Sequence, residues 1–217
     1  MAIMNAASRV RLGLPAALEQ FVLQLGLMIY VRFIVGFGTI GLSAYQVGMR
    51  VLSLSFIPNF GFSTAASALI GQNLGAGRKQ EAKQAGWICL WWAMFSMSAV
   101  GLTYLLFSHW LAAQFIDDPE VIELSSQFIR IVGICQVGMA VYFTLAGALR
   151  GAGDTRWPLL ITILSMYGFR IPATWIIIRF FGMGLFGTWN LLFGDYIIRV
   201  IFVLLRYSRG KWLETRV

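Results

Sequence analysis

Seven ionisable residues lie inside stretches that are otherwise almost wholly apolar: Glu19, Arg32, Arg50, Arg130, Arg170, Asp195 and Arg199. Charges in such settings are expensive, and their default reading is functional: ion or proton handling, or contact with a ligand. Asp195 and Arg199 stand four apart, one helical turn, so they can pair on one face. Mutual neutralisation accounts for that pair without a further role. Arg170 sits in Tyr167-Gly168-Phe169-Arg170-Ile171-Pro172. It lies near the middle of its stretch, where reaching an interface is hard, and it either lines a polar cavity or serves packing. Glu19 lies about a turn inside the first stretch and reads as a gate residue, a proton site or an interfacial carboxylate. Gln24, Gln46, Asn59, Gln136 and Asn190 add neutral polar groups suited to a wet cavity or to interhelical hydrogen bonds. The candidate cavity residues are therefore Glu19, Gln24, Gln46, Asn59, Gln136, Arg170 and Asp195. Five arginines against two carboxylates make a poor sole binder of a cation. Either carboxylates come from another segment, or backbone carbonyls and water satisfy the arginines.

Enzyme chemistry finds no support. The single histidine, His109, excludes a helical two-histidine zinc site, and no other metal site is indicated. The glycine loops lack the P-loop lysine spacing and the dinucleotide pattern, and no Gly-x-Ser-x-Gly elbow occurs. Cys89 and Cys135 lie inside apolar runs and read as small buried hydrophobes rather than a disulfide.

The elements that position these residues are membrane spans. The chain is 59% hydrophobic and 12% charged, where soluble domains carry about 25% charged residues. A spanning helix needs about 20 apolar residues. Six such segments are predicted: about Leu14–Gly38, Ala44–Gly71, Ala85–Phe107, Pro119–Leu149, Trp157–Ile178 and Leu185–Leu205. Asp118-Pro119 reads as a capped start with proline in the first turn.

Basic residues sort by loop. Arg9, Arg11, Arg78, Lys79, Lys83, Arg150, Arg156, Arg206, Arg209, Lys211 and Arg216 fall on one side; the other carries Arg179 with Asp117, Asp118, Glu120 and Glu123. The positive-inside rule then predicts cytoplasmic termini. It also explains the net charge of +8 without invoking nucleic acid. Trp87, Trp110, Trp157, Trp175, Trp189 and Trp212 fall near the predicted interfaces, as an aromatic belt would.

Pro58 and Pro172 fall inside spans and free the carbonyls of Leu54 and Gly168. Pro58, Gly168 and Pro172 are thus candidate mid-span helix breaks, which mark either transporter sites or packing kinks. Ser63, Ser67 and Gly71 recur every four residues and predict a close helix approach. Between spans four and five lies a polar hinge, Arg150-Gly151-Ala152-Gly153-Asp154-Thr155. Here Gly151 and Gly153 are expected to shape the turn. Arg150 complements the preceding helix end, and Asp154 or Thr155 caps the next helix. The expected division is a linker or amphipathic segment over 1–11, a six-helix lobe over 12–206 and a basic tail over 207–217.

Four stretches, read in order, resemble the multidrug and toxic compound extrusion (MATE) family: Leu12-Gly13-Leu14-Pro15-Ala16-Ala17-Leu18-Glu19, Ile70-Gly71-Gln72-Asn73-Leu74-Gly75-Ala76-Gly77, Leu149-Arg150-Gly151-Ala152-Gly153-Asp154-Thr155 and Gly187-Thr188-Trp189. The resemblance implies an all-α integral membrane fold: a six-helix bundle forming the second lobe of a twelve-helix transporter. It implies a secondary antiporter that exports organic cations or drugs against H⁺ or Na⁺ entry, with no other cofactor. Partners would be a first six-helix lobe or a second copy of the chain, within a bacterial-type inner membrane. One family branch carries a deep acid in the first helix of this lobe, where the chain reads Phe21-Val22-Leu23-Gln24, and another in the fourth helix, near Gly138-Met139-Ala140. The competing readings are a lipid-linked precursor flippase of the same superfamily, which suits the arginines, and a non-transporting membrane remnant.

Overall fold

The computed structural model describes residues 6–214, with side chains from residue 13. Most of the expected 1–11 linker and the end of the basic tail therefore lie outside the described side chains. The first helix, α1 (Ala6–Val35), starts within that linker, more than three turns before Glu19, while its membrane span begins at Gly13 and leaves Glu19 under two turns inside. Then follow α2 (Gly38–Gly75), α3 (Lys79–Ala113) and α4 (Pro119–Gly151). Span five is composite: α5 (Arg156–Ile163), a π-helical stretch Leu164–Arg170, α6 (Ile171–Ile176) and a second π-helical stretch Ile177–Phe181. The last span is α7 (Gly184–Ser208), followed by a 3₁₀ turn, Lys211–Glu214. All six spans are long and apolar enough to cross a membrane. The protein is a multi-pass, all-helical membrane bundle.

Local sequence explains the boundaries. Asp118 caps α4, its carboxylate accepting from the Glu120 and Val121 amides, and Pro119 occupies the first turn as expected. Near the end of the third span, α3 kinks at Phe107, whose φ of −114° and ψ of 21° leave the helical region. Pro58 does not break α2, which runs unbroken through it. Nor is span five severed at Gly168 and Pro172. Pro172 has no N–H to offer the Gly168 carbonyl, and the backbone stays helical by widening into the π turns before it.

The most buried helix is α4, and it lies parallel to α2. Ser125 Oγ donates to the Ala44 carbonyl near one end of that pair (3.3 Å). Near the other end, a Cβ on Gly147 would overlap Ser63, and one on Gly151 would overlap the Ser67 backbone. The Ser63/Ser67/Gly71 stripe is thus one half of a backbone-to-backbone contact. This corrects the expectation for Gly151. It closes α4 in ordinary helical conformation, and its lack of a side chain serves the contact with α2. Gly153 alone turns the chain, at φ +80°. The α2–α3–α4 trio is densely packed, and Tyr104 on α3 donates to the Val51 carbonyl at 2.7 Å. The helices α1, span five and α7 form a second group against α4.

We call the end that carries Arg150–Arg156 the hinge end. There the capping expectation fails. Thr155 makes no cap bond. Asp154 instead takes Arg206 of α7, with Nη2 at 2.7 Å and Nε at 2.8 Å. That pair holds span five's entry against α7. Asp154→Ala should cost about 1.5–3 kcal/mol by removing a charge-assisted bond, and Thr155→Ala under about 0.5 kcal/mol, measured by thermal unfolding in detergent. Two tryptophans also depart from the belt. Trp189 is fully buried against Phe128, and Trp212 is fully buried and stacked on Tyr207 at 4.8 Å. Trp212 Nε1 donates to the Tyr207 carbonyl at 2.8 Å, so the start of the expected basic tail folds back onto the bundle.

Candidate functional site: a polar seam between the two helix groups

Where α1 and span five meet α4 and α7, ionisable and hydroxyl side chains follow one another without an apolar interruption. At the hinge end Arg150 grips Glu19: Nη2 lies 2.8 and 3.0 Å from the two carboxylate oxygens and Nε 3.3 Å from one of them. Such a fork is geometrically specific and stronger than a neutral hydrogen bond. Arg150 therefore ends α4 as the partner of a residue 131 positions away, more than as a complement to its own helix dipole.

Inward of this pair, Tyr142 donates to Glu19 Oε1 at 3.1 Å, and its hydroxyl lies 2.9 Å from Thr162 Oγ1. Thr162 in turn accepts from Arg199 Nη1 at 3.5 Å. One assignment satisfies every hydroxyl: Arg199 donates to Thr162, Thr162 to Tyr142, and Tyr142 to the carboxylate. Arg199 Nε donates to Asp195 Oδ2 at 3.1 Å, and its guanidinium lies 5.0 Å from the centre of the Tyr142 ring. The i,i+4 pairing expected for these two residues is present, and both are buried.

Deeper still, Asp195 Oδ1 and Arg170 Nε are buried without a partner among the described residues. Arg170 lies over the Tyr30 ring of α1 at 4.1 Å, a cation–π contact. Asp195 stands within its electrostatic reach. Orphaned buried polar groups typically cost about 1–3 kcal/mol each.

The other candidate residues lie apart from the seam. Gln24 is exposed. Gln46 is also exposed and, with Leu27, Val31, Tyr45, Met49, Arg50 and Ser53, lines an open cleft of about 420 Å³ between α1 and α2. Asn59 and Gln136 are buried in the bundle. Asn59 Nδ2 donates to the Ser55 carbonyl at 2.9 Å, whereas its Oδ1 and both amide atoms of Gln136 are without partners among the described residues. Gly168 and Pro172 are exposed on span five. Tyr142 and Thr162 join the seam, although the sequence reading passed over them. The available signal was spacing: Tyr142 precedes Arg150 by eight residues, about two turns, so the two share a helix face.

Residues 15–176 match the MatE family. The chain belongs to the MatE family. It is 34% identical over 211 residues to the probable multidrug resistance protein NorM of Thermotoga maritima, covering 96% of this chain and 45% of that protein. It is 25% identical over 205 residues to the uncharacterized transporter YisQ of Bacillus subtilis, covering 94% and 45% respectively. The chain thus spans about half the length of the curated relatives it matches.

Among solved structures, the bundle superposes with a TM-score of 0.88 on an outward-facing multidrug resistance MATE family transporter of the MOP superfamily, at 21% identity over 97% of this chain and 47% of that one. A MOP superfamily transporter from Pyrococcus furiosus, described as having a binding pocket of reverse polarity, gives 0.85 over 91% and 43%. The six-helix fold is that of one MATE lobe. Of the seam, Glu19, Tyr142, Arg150, Thr162 and Arg170 fall within the MatE match, and Asp195 and Arg199 lie beyond it.

Proposed function

We propose that this MatE chain is the second lobe of a secondary antiporter that exports organic cations or drugs, coupled to H⁺ or Na⁺ entry. It acts with a first six-helix lobe or with a second copy, and its hinge end faces the cytoplasm of a bacterial-type inner membrane. The observation that carries this reading is the fold. A complete six-helix bundle covers 45% of its drug-resistance relative, and alternating access needs two bundles that rock about a shared site. The outward stripe of α1 and α2 supports a partner. Phe21, Met28, Ile57 and Phe60 are more than half exposed, with Gln24 and Gln46 among them.

The test joins this chain to the first half of the Thermotoga relative in a drug-sensitive host and follows ethidium accumulation. The chain alone should leave accumulation unchanged. The joined protein should lower it, and collapse of the H⁺ or Na⁺ gradient should abolish the effect. Lack of export by the joined, membrane-inserted protein, or export indifferent to both gradients, would count against the reading.

One observation favours a second reading. Arg170 is buried and its Nε has no hydrogen-bond partner among the described residues, which suits an anionic headgroup and hence a lipid-linked precursor flippase. Rescue of lipid-precursor translocation without any drug phenotype would select it.

A further inference from the structure

The seam has an order. At its outer end the Arg150 side chain is 30% exposed and Glu19 is 9% exposed. Tyr142 and Thr162 follow, both buried, then Arg199 and Asp195. At the inner end are the two orphaned atoms, Asp195 Oδ1 and Arg170 Nε. Native Cys135 lies there too, buried and free, within electrostatic reach of both Arg170 and Asp195. Cys135 and Tyr142 are seven residues apart on α4, about 10 Å along one face. Among the described residues, no other part of the bundle combines ionisable groups, unsatisfied polar atoms and a solvent-exposed mouth.

The walls differ in how they are held. Among the described side chains, the hydrogen bonds from α1 to α4 at the hinge end are those of Glu19, to Arg150 and Tyr142. The rest of α1 leans on span five, on α2 and on α7. Tyr167 donates to the Val22 carbonyl at 2.9 Å, and Tyr30 to the Thr188 carbonyl at 3.2 Å. Span five is itself π-helical beside the seam. Loss of the Glu19–Arg150 contact would therefore release the hinge end of α1 from Arg150 and leave it bound to span five, while Tyr30 and Ile34 stay in the core shared with α2 and α4. Water entering there would solvate Arg150 first and the orphaned atoms last, which supplies a driving force for filling once the mouth opens.

We propose that the Glu19–Arg150 pair is a gate at the mouth of a water-filling vestibule that runs between α4 and span five to Asp195 and Arg170. This goes beyond the transport reading, and its test reads no transport.

The two native cysteines supply the measurement. Cys135 lies at the inner end of the seam. Cys89, on α3, is buried in the cluster of Tyr207 and Trp212, which also takes in Tyr142, and is not itself a seam residue. The full chain in lipid nanodiscs is exposed to a water-soluble maleimide, and alkylation of each cysteine is followed by mass spectrometry. Glu19→Gln should raise the Cys135 rate about tenfold, equal to about 1.4 kcal/mol in the opening equilibrium, with Cys89 unchanged. The charge-reversed pair, Glu19→Arg with Arg150→Glu, should bring the Cys135 rate back toward the parent value. Arg150→Gln supplies a second opening variant if Glu19→Gln does not fold. An unchanged Cys135 rate in the folded single variants overturns the proposal. So does a parallel rise at Cys89, which signals general loosening. A reversed pair that stays folded yet remains as reactive as the single variants overturns it as well.

Discussion

Asp195→Ala should lower the thermal midpoint of the bundle by about 6–20 °C, the equivalent of about 3–5 kcal/mol for a chain of this size. The reason is the partner left behind. Arg199 is 5% exposed, and its Nε has Asp195 as its hydrogen-bond acceptor at 3.1 Å. Removing the carboxylate leaves a guanidinium at membrane depth with only a 3.5 Å contact to Thr162 and two aromatic rings beside it. Replacing both residues, Asp195→Leu with Arg199→Leu, should return most of the lost stability, because an apolar pair has no desolvation cost to offset. Fully buried Trp189, in the same helix, offers an intrinsic fluorescence readout. A single variant as stable as the parent, or a double variant no better than the single, would show that the pair does not hold α7 in place.

Gly151→Ala should be nearly as damaging, at about 3 kcal/mol or more, and Gly151→Val should prevent assembly of the lobe. A methyl group there meets the Ser67 main chain, which cannot rotate away as a side chain can. The α2 and α4 axes must therefore separate along their tightest contact. Gly153→Ala provides the contrast. Its φ of +80° imposes a conformational cost of about 1–2 kcal/mol. The expected order, read as the fraction of monodisperse protein after extraction and then as thermal midpoint, puts the Gly151 variants below the Gly153 variant. The reverse order would return Gly151 to a turn-shaping role.

These two glycines show what the sequence makes legible. Both stand out in a polar hinge, and composition alone marks them as backbone-permissive. Which of them turns and which one packs depends on α2, some 80 residues earlier, and local pattern carries no such information. The same divide runs through the seam. Asp195 and Arg199 are readable as a pair because one helical turn fixes their distance. Glu19 and Arg150, 131 residues apart, are not, and Asp154 with Arg206, 52 apart, misled the cap assignment. The spans, the Asp118 cap and the Ser63/Ser67/Gly71 stripe follow from hydropathy, capping chemistry and residue size, which are local properties. Trp189 and Trp212 were misplaced because a tryptophan near a predicted interface carries the same local signature whether it faces lipid or the core.

Span five carries a further consequence. Each residue of an α-helix advances the wheel by about 100°, and a π turn inserts one more residue before the next carbonyl is bonded. The stretch Leu164–Arg170 therefore resets the phase of the span. A single wheel drawn from Arg156 to Phe181 mixes two faces: one set by Ile161 and Thr162 against the seam, the other by Arg170 and Thr174 after the reset. Deleting one residue between 164 and 170 would straighten the helix and still leave Arg170 facing Tyr30, because the deletion removes the one residue that the π turn absorbs, whereas straightening at full length would carry Arg170 off that face.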